Sequence, residues 1–330
     1  MLENINIIDY KCFKDFKLDG LKRINIISGK NNVGKTALLE ALYVSNDFSH
    51  AKYELINATI IDLSLLAFNR DISAEKFINF IKNFSFSINS NINNLTIQTK
   101  KINQLNNKEI ELNKEFNADY KDFLICTSNE NIEIEPLRNV EYNYGNTSYI
   151  NSSKPTPKLL VELYSEIQRH GLQDKFLKYV QILDKNITRI EPQLIAGEMI
   201  LNISLENSNI SLPSSELGEG LNRFIEILSI IIAGEWGSVF IDEIENGLHY
   251  SKLLDIAKAI IEIAQKEDIQ VFITTHDKET IEAFAKASEE LSFKDISSIE
   301  LYKDDENIIH PIVMDYDNII DGIEMGEDFR

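Results

Sequence analysis

Cysteine and long apolar runs are both scarce in this sequence. Cys12 and Cys126 are the only cysteines among 330 residues, and they lie far apart and outside any CxxC pair. Neither a disulfide framework nor a cysteine zinc site is predicted, and the pattern is typical of a cytoplasmic chain. The most apolar stretch, 224–233, contains Glu226 and is shorter than the roughly 20 apolar residues that a membrane helix requires. The opening segment lacks the basic-then-apolar order of a signal peptide, so we expect neither membrane association nor export.

Positive charge is also in short supply. The chain carries 33 Lys and Arg residues against 53 Asp and Glu residues, which gives a formal net charge of -20. Such a balance repels a polyanion unless the basic groups are clustered, so it argues against whole-surface DNA binding and against an enzyme that processes DNA directly. The remaining composition, 43% hydrophobic and 26% charged, is that of a globular protein able to bury a sizeable core.

The sequence does contain a regular order of strand and helix patterns. Short runs rich in Ile and Phe predict strands up to Ser28-Gly29, and helical spacing follows from Ala37 to Ser45. Segment 85–117 suggests short strands joined by polar turns. The dipeptide Thr156-Pro157 predicts a helix start with an N-cap followed by proline at the first helical position, and an alternating antiparallel unit follows at 187–210.

The C-terminal third alternates between helices and strands. The predicted order is helix 222–233, strand 238–242, helix 250–266, strand 269–275 and helix 278–287. Alternation of this kind predicts a largely parallel sheet faced with helices. After the last of these helices we expect two closing strands and a solvated acidic terminus.

The segment GKNNVGKT at 29–36 fits the phosphate-loop pattern G-x-x-x-x-G-K-[ST], and it follows a strand and opens a helix as that loop requires. Backbone N–H groups and the positive helix N-terminus would cradle the phosphates of ATP. Lys35 is expected to reach the β- and γ-phosphates, and Thr36 to ligate Mg²⁺. The alternative is a glycine turn that matches by chance. The predicted nucleotide-binding residues of this loop are Gly29, Asn31, Asn32, Val33, Gly34, Lys35, Thr36 and Ala37.

Two further segments place polar groups at the ends of apolar strands. SVFIDE at 238–243 ends in Asp242, predicted to hold the Mg²⁺ shell, and Glu243, predicted to orient or deprotonate the attacking water. VFITTHD at 271–277 contains His276, whose imidazole could donate a hydrogen bond to a γ-phosphate oxygen. The alternatives are an exposed strand terminus for the two acids and a capped strand end for the histidine.

A fourth motif, LGEG at 217–220, would by itself be interpreted as a helix cap. In the order GKNNVGKT, LGEG, FIDE and TTH, however, the set resembles the ABC-ATPase fold, and more narrowly the soluble ATPases of the SMC and recombination-repair group. DYKCFKDF and IDEIENGLH are most similar to the overcoming-lysogenization-defect (OLD) ATPases and to the ATPase subunits of anti-phage systems such as Septu and PARIS. The resemblance implies an α/β fold with a mostly parallel core sheet, an N-terminal antiparallel β portion and a helical insertion.

The resemblance also implies how two copies would cooperate. In such proteins two protomers sandwich two ATP molecules head to tail, so the signature loop of one protomer faces the γ-phosphate bound by Lys35 of the other. The implied loop residues are Leu217, Gly218, Glu219 and Gly220. Lys11 matches a basic residue near the nucleotide base, although a solvated turn lysine would need no explanation. Gly218 stands where transporter-like signatures carry serine, and His249 where they carry the aspartate of the D-loop.

We expect a single ABC-type ATPase domain over 1–330. Its parts are an N-terminal β portion with the phosphate loop at 1–46, an inserted β and helical region at 47–210, and the signature, acidic pair and histidine at 211–330. OLD proteins carry a TOPRIM nuclease domain after the ATPase, and this sequence has no room for one. The effector is then expected to be a separate polypeptide, with a TOPRIM-type nuclease as one candidate. The protein would contact nucleic acid through the complex with that effector.

The sequence therefore predicts an Mg²⁺-dependent enzyme that converts ATP and water to ADP and phosphate. It would act as a homodimer or higher even oligomer whose nucleotide state controls a partner effector; a role in anti-phage defence or DNA repair is suggested by resemblance alone. The main rival is a nucleotide-gated scaffold that binds ATP with little turnover. A transporter ATP-binding subunit is disfavoured by His249.

Overall fold

The architecture is described from a computed structural model of the chain. The residues that the structure describes are 1–47, 85–91, 94–101, 122–128, 131–136, 148–206, 208, 210–234 and 237–325. The expectations for the rest of segment 47–145 lie outside these residues. No helix in the described part of the chain is both long enough and apolar enough to cross a membrane.

The strands and helices of the described residues follow the predicted alternation. The strands are β1 (Asn4–Tyr10), β2 (Phe13–Asp19), β3 (Ile24–Gly29), β4 (Ser85–Ser90), β5 (Asn94–Lys101), β6 (Asp122–Ser128), β7 (Asn131–Pro136), β8 (Tyr149–Ile150), β9 (Ile187–Ile195), β10 (Glu198–Leu205), β11 (Leu212–Pro213), β12 (Ser238–Ile241), β13 (Gln270–Thr274), β14 (Ile296–Lys303) and β15 (Ile309–Asp315). The α-helices are α1 (Lys35–Asp47), α2 (Pro157–Arg169), α3 (Gln173–Val180), α4 (Glu219–Ala233), α5 (Tyr250–Lys266), α6 (Lys278–Glu290) and α7 (Tyr316–Met325), and a short 3-10 helix spans Ser214–Leu217.

The central sheet has the strand order β15-β14-β3-β13-β12-β8. Strands β14, β3, β13, β12 and β8 run parallel, and β15 pairs antiparallel with β14 at one edge. Strands β3, β12 and β13 are buried along their whole length, as is typical of parallel strands covered on both faces. Because the carboxyl ends of parallel strands meet at one edge, this order brings the loops after β3, β12 and β13 together. The predicted mostly parallel core sheet is confirmed.

Helices and a second sheet cover the two faces of the central sheet. On β13, Val271 and Ile273 belong to an apolar cluster that includes residues of α4, α5 and α6. Phe272, which points to the other face, belongs to a cluster with α1, β1 and β2, and its ring stacks on Phe240 at a centroid distance of 5.0 Å. Each such buried side chain stabilises the fold by about 1.5–3 kcal/mol. The sheet is therefore held from both sides, which fixes the positions of its strand ends.

The remaining strands form two antiparallel sheets. The N-terminal sheet has the order β2-β1-β4-β5-β6-β7, and β9, β10 and β11 form a three-stranded sheet. These confirm the strands expected at the N-terminus, in the described part of 85–117, and at 187–210. Thr156 caps α2 through its side chain, which accepts a hydrogen bond from the N–H of Leu159 at 3.2 Å. The N-cap predicted from Thr156-Pro157 is confirmed.

Most element boundaries agree with the expectation to within three residues, but two differences bear on the fold. Helix α4 begins at Glu219 rather than at residue 222, so Glu219 and Gly220 belong to its first turn. The acidic C-terminal segment is not simply a solvated terminus, because 316–325 forms α7 with Ile319 and Gly322 buried. In both places the apolar spacing that packs the helix outweighs the glycine and acidic residues that suggested a loop.

Candidate nucleotide-hydrolysis site

The loop after β3 has the backbone of a phosphate-binding loop. Gly29 has φ 131° and Gly34 has φ 116°, and residues with a Cβ atom rarely adopt a backbone conformation in this region. A Cβ at Gly29 would overlap the carbonyl oxygen of Leu301, and a Cβ at Gly34 would lie 2.9 Å from Cys12 Sγ. Both positions therefore require glycine, and α1 begins at Lys35 directly after them.

The Lys35 side chain folds back onto its own loop. It is 5% exposed, and Nζ donates to the carbonyl oxygens of Gly29 at 2.7 Å and Lys30 at 3.3 Å. Nζ also lies 3.1 Å from Nδ1 of His276, 241 positions away in the sequence. The structure thus brings the predicted phosphate-loop lysine and the predicted histidine into direct contact.

Thr36 and Asp242 place oxygen atoms beside the same loop. Thr36 Oγ1 donates toward the Asp242 carboxylate, at 3.2 Å from Oδ1 and 3.3 Å from Oδ2. Thr274 Oγ1 donates to Asp242 Oδ1 at 2.6 Å and holds the carboxylate in place. Mg²⁺ is commonly bound through one or two such oxygen ligands together with substrate phosphates and water. The donor set of Thr36 and Asp242 fits an Mg²⁺ ion.

Glu243 follows directly and faces the histidine. Its Oε1 lies 2.8 Å from His276 Nε2, and its Oε2 accepts a hydrogen bond from Asn246 Nδ2 at 2.8 Å. Because the Lys35 ammonium donates to Nδ1, the proton of the neutral imidazole belongs on Nε2, where it donates to Glu243. Lys35, His276 and Glu243 therefore form one hydrogen-bonded chain across the ends of β3, β13 and β12.

The backbone of Glu243 is unusual. Its φ is 48°, in the left-handed region, which costs a residue with a side chain of this kind about 1–3 kcal/mol. Its N–H donates to Thr274 Oγ1 at 2.7 Å, so the same threonine binds both acids of the pair. This turn directs the Glu243 carboxylate toward His276. Strain of this kind is concentrated at functional sites.

The pKa values of the two neighbouring carboxyl groups are shifted in opposite directions. Burial raises the pKa of Asp242. Burial also acts to raise the pKa of Glu243, but hydrogen bonds from Asn246 and His276, with nearby positive charge, outweigh it and leave that pKa below its usual value. Burial lowers the pKa of Lys35, partly offset by the neighbouring acids. Glu243 is therefore the more acidic carboxyl group of the pair, and a bound cation would favour the carboxylate form of the buried Asp242.

A buried arginine of α4 forms hydrogen bonds at the end of β12. Arg223 of α4 is 3% exposed, and its Nη2 donates to the carbonyl oxygen of Asp242 at 2.8 Å. Its Nη1 donates to the carbonyl oxygen of Asn151 at 2.6 Å and to Glu226 Oε2 at 2.9 Å. Burial raises the pKa of Glu226 to about 7, although Arg223 acts to lower it. The first turns of the signature helix are thus bonded to the backbone of the acidic pair.

The signature residues 217–220 lie at the start of α4. Gly218 is the N-cap with φ 101° and gives no side-chain cap hydrogen bond. A Cβ at Gly220 would lie 2.5 Å from the carbonyl oxygen of Gly247, so this helix start packs closely on the turn after Glu243. Glu219 forms an ion pair with Lys154. Among the described residues, no hydrogen bond or ion pair joins these four residues to the phosphate loop of the same chain.

Lys11 lies in the turn between β1 and β2. Its Nζ forms an ion pair with Glu40 of α1, whose side chain is 2% exposed, and lies 5.2 Å from the centre of the Tyr10 ring. The side chain is therefore not simply solvated, and it anchors the N-terminal turn beside the helix that follows the phosphate loop. Its predicted contact with a nucleotide base stays a prediction.

The fold and the site define a P-loop nucleotide hydrolase with an ABC-type, SMC-like head. Comparison with solved structures supports this fold: an SMC head bound to the C-winged helix domain of ScpA aligns with a TM-score of 0.53 and 11% identity, over 97% of this chain and 99% of that one. The SMC head domain from Thermotoga maritima aligns with a TM-score of 0.47 and 12% identity, over 95% of this chain and 99% of that one.

Sequence comparison assigns the family. The chain belongs to the family described as "AAA domain, putative AbiEii toxin, Type IV TA system", whose model matches residues 24–282. It is also 24% identical to an ATP/GTP phosphatase of Helicobacter pylori over 355 aligned positions, covering 94% of this chain and 95% of that protein. The match to 24–282 includes every motif from the phosphate loop to His276.

Several site residues were not identified from the sequence. Thr274, Asn246 and Arg223 make direct hydrogen bonds to the acidic pair, and Glu245 Oε1 accepts a hydrogen bond from the N–H of His276 at 2.6 Å. Thr274 could have been found from its place in TTH, two residues before the histidine. Arg223 carries no such signal, because a charged residue in the first turns of an amphipathic helix is usually exposed.

Proposed function

We propose that the whole chain acts as one Mg²⁺-dependent ATPase domain whose ATP-driven, head-to-tail dimerisation controls a separate effector protein. The observation that carries the hydrolytic part is the hydrogen-bonded chain from Lys35 through His276 to Glu243. It joins a cation for phosphate oxygens to a carboxylate that can accept a proton from water.

Hydrolysis would proceed by in-line attack of water on the γ-phosphate. The lowered pKa of Glu243 keeps its carboxylate ionised, so it can accept a hydrogen bond from the attacking water and orient it, and the proton of the water moves to it as the new P–O bond forms. Lys35 would leave the carbonyl oxygens of its own loop and donate to the β- and γ-phosphates, and the Nε2–H of His276 would leave Glu243 and donate to a γ-oxygen. Mg²⁺, held by Thr36 and Asp242, would neutralise charge on the phosphates.

The signature loop supports the dimer. Residues 217–220 have no bond to their own phosphate loop among the described residues, and the N-terminus of α4 favours an anion. A phosphate held in the loop of a second copy would satisfy that helix end. A solved SMC head of the same fold is bound to another protein, the C-winged helix domain of ScpA, which supports a protein partner for this chain as well.

The finer assignment also belongs to this proposal. OLD-like kinship, a nuclease as the effector and a role in anti-phage defence rest on the resemblance of DYKCFKDF, GKNNVGKT and IDEIENGLH, and ATP as the preferred nucleotide rests on the phosphate loop of the same resemblance. The Helicobacter relative is named for both ATP and GTP, so a direct comparison of the two nucleotides decides specificity.

The decisive experiment removes the charge of one carboxylate. Glu243→Gln should trap a Mg·ATP-bound dimer, because the attacking water loses its acceptor while nucleotide binding is retained. Molar mass by light scattering with and without Mg·ATP, together with phosphate release, measures both effects. Glu279→Gln, an exposed acid in the first turn of α6, is the matched control. Unchanged turnover of Glu243→Gln would remove Glu243 from the mechanism.

One observation favours a nucleotide-gated scaffold as the second candidate. Gly218 offers no hydroxyl at the signature helix start, where transporter-like signatures have serine, so only backbone N–H groups would be left to contact the γ-phosphate. Such a protein would dimerise with ATP and hydrolyse it negligibly. Phosphate release measured in the same samples as the dimer separates the two functions.

A further inference from the structure

A cavity of about 480 Å³ lies between the first turns of α4, strand β10 and the segment just before α2. Asn246 and Gly247, in the turn after Glu243, also line it. Among the described residues of its wall, none belongs to the phosphate loop or to the acidic pair, and His276 is not among them either. The cavity is therefore distinct from the site assigned to the nucleotide, although Glu219 of the signature motif lines it.

Two residues of this wall, consecutive on α4, each leave one buried polar atom without a partner. Arg223 is 3% exposed, and its Nε has no hydrogen-bond partner among the described residues, although both Nη atoms are bonded. Asn222 leaves its Oδ1 buried and equally unpaired within the same part of the chain. Buried polar groups are nearly always hydrogen-bonded, because an unpaired one destabilises the fold. A ligand that accepts one hydrogen bond and donates another would satisfy both atoms.

The charges around the cavity are already balanced. Lys154 pairs with Glu219, and the guanidinium group of Arg223 pairs with Glu226 at 2.9 Å. Lys154, Glu219 and Arg223 are the charged residues of the described wall, so it offers no unpaired charge to a phosphate or a carboxylate. The free donor and acceptor therefore favour a neutral ligand that carries both a carbonyl oxygen and an N–H group, as the peptide main chain does.

The apolar part of the wall is aliphatic. Among the described residues that line the cavity, none is aromatic, so a nucleobase would find no ring on which to stack. An aliphatic or proline side chain of a peptide could instead bury its apolar surface against this wall. The apolar residues that line the cavity are Pro155, Pro157, Leu160, Ile200, Leu201 and Pro213.

The apolar surface continues beyond the cavity along the hairpin of β9 and β10. Leu201 and Met199 lie two positions apart on β10 and so face the same side of the sheet, and Met199 is paired with Leu194 of β9. Leu201 is buried, whereas Met199 is 46% exposed and Leu194 is 69% exposed. An occupant that covers both the cavity and this exposed pair must be elongated. An extended chain segment therefore fits better than a compact metabolite.

We propose that the cavity and the exposed pair bind an extended, uncharged and apolar peptide segment of the effector protein, an inference that rests on the proposed control of an effector. A carbonyl oxygen of its main chain would accept a hydrogen bond from Arg223 Nε, and an N–H group would donate to Asn222 Oδ1. Asn246 also lines the cavity and donates to Glu243, so the bound segment would contact a residue that positions the catalytic carboxylate.

Peptide selection followed by titration tests the site on the full chain. Seven-residue peptides displayed on phage are selected against the wild type, and the enriched peptide is labelled with fluorescein and titrated by fluorescence anisotropy. Asn222→Leu should weaken binding about tenfold, as expected for one lost hydrogen bond of a buried group. Asn318→Leu, which changes an exposed asparagine on α7, is the matched control and should bind as the wild type does.

The exposed pair has a matched control of its own. Leu194→Ser should weaken binding about fivefold, because the peptide loses part of its apolar contact. Ile195→Ser changes the next residue, which faces the other side of the hairpin, and should leave the affinity unchanged. Failure to enrich any peptide, or equal affinity of the enriched peptide for both variants and both controls, would overturn the docking site.

A change in the peptide itself identifies the main-chain contact. Replacing one amide of the enriched peptide by an ester removes a single N–H group. At the position that donates to Asn222, this replacement should weaken binding about tenfold in the wild type and have no further effect in Asn222→Leu. If the ester replacements weaken binding equally in the two proteins at every position, the assignment of Asn222 as the acceptor is wrong.

Phosphate release and molar mass, measured with saturating peptide, separate this proposal from the function on which it rests. Binding with the expected variant pattern, but with unchanged turnover and dimer formation, would contradict control by an effector and leave the docking site in place. A docking site that fails these tests leaves the expected trapping of an ATP-bound dimer by Glu243→Gln untouched.

Discussion

The buried pair of Glu226 and Arg223 should make stability depend on pH in a way that one substitution removes. Glu226 is 4% exposed, and burial raises its pKa to about 7 from an ordinary value of 4.5. At pH values between 4.5 and about 7, Glu226 is therefore protonated in the folded protein and ionised in the unfolded chain. The contribution of Glu226 to the free energy of unfolding is fully present below the pKa of the unfolded state, and it is lost as the pH rises through the pKa of the folded state.

The size of this effect follows from the shift. A difference of about 2.5 units corresponds to about 3 kcal/mol at about 1.4 kcal/mol per unit. Most of this change in stability falls between pH 5 and pH 8. Over that range the free energy of unfolding of the wild type should fall by about 2–3 kcal/mol relative to that of Glu226→Gln. Glutamine does not titrate, and its side-chain oxygen can still accept the hydrogen bond from Arg223 Nη1.

Urea unfolding at pH 5 and pH 8, followed by circular dichroism, measures this difference. Comparing the change between the two pH values in both proteins cancels the contributions of all other titrating groups. Glu262→Gln, an exposed acid on α5, should behave as the wild type. If the free energy of unfolding of Glu226→Gln falls with pH as much as that of the wild type, the assignment of the raised pKa to this buried pair is wrong.

The hydrolysis site leads to further expected outcomes. Asn246→Ala should lower kcat about tenfold with ATP affinity little changed, because Glu243 loses one hydrogen bond; steady-state phosphate release and nucleotide titration check this, and an unchanged kcat would contradict it. Gly220→Ala should destabilise the fold by about 1–3 kcal/mol and weaken the ATP-dependent dimer, since its Cβ would lie 2.5 Å from the Gly247 carbonyl oxygen; thermal unfolding and light scattering measure both. Chelation of Mg²⁺ should abolish hydrolysis, and turnover that survives chelation would refute the metal assignment to Asp242.

The parallel core sheet and the placement of the main motifs at its strand ends could be predicted from the sequence, whereas the order of its strands could not. Alternating helix and strand patterns after residue 217 require a parallel sheet, and the carboxyl ends of its strands share an edge. That rule alone places Lys35, Asp242 and His276 near one another, and the structure has Lys35 and His276 in contact. Local patterns sufficed here because each motif ends a strand or opens a helix.

The supporting contacts could not be predicted in the same way. The left-handed backbone of Glu243 has no glycine or asparagine to signal it, and its partner Thr274 comes from another strand. The sequence pattern predicts the start of α4 three residues too late, because Gly218 and Gly220 suggest a loop whereas packing against Gly247 stabilises the helix turn. Contacts of this kind depend on residues far apart in the chain, whose pairing no local pattern encodes.

The segment just before α2 accepts hydrogen bonds from two residues that also bind the acids of the pair. The carbonyl oxygen of Asn151 accepts a hydrogen bond from Arg223, which also donates to the Asp242 carbonyl oxygen. The next carbonyl, that of Ser152, accepts a hydrogen bond at 3.1 Å from Asn246, which also donates to Glu243. A displacement of this segment would therefore break hydrogen bonds made by Arg223 and Asn246, the residues that also bind Asp242 and Glu243. Because α2 and β8 flank the segment on either side, a protein bound to this region would need no contact with the nucleotide to alter the position of the Glu243 carboxylate.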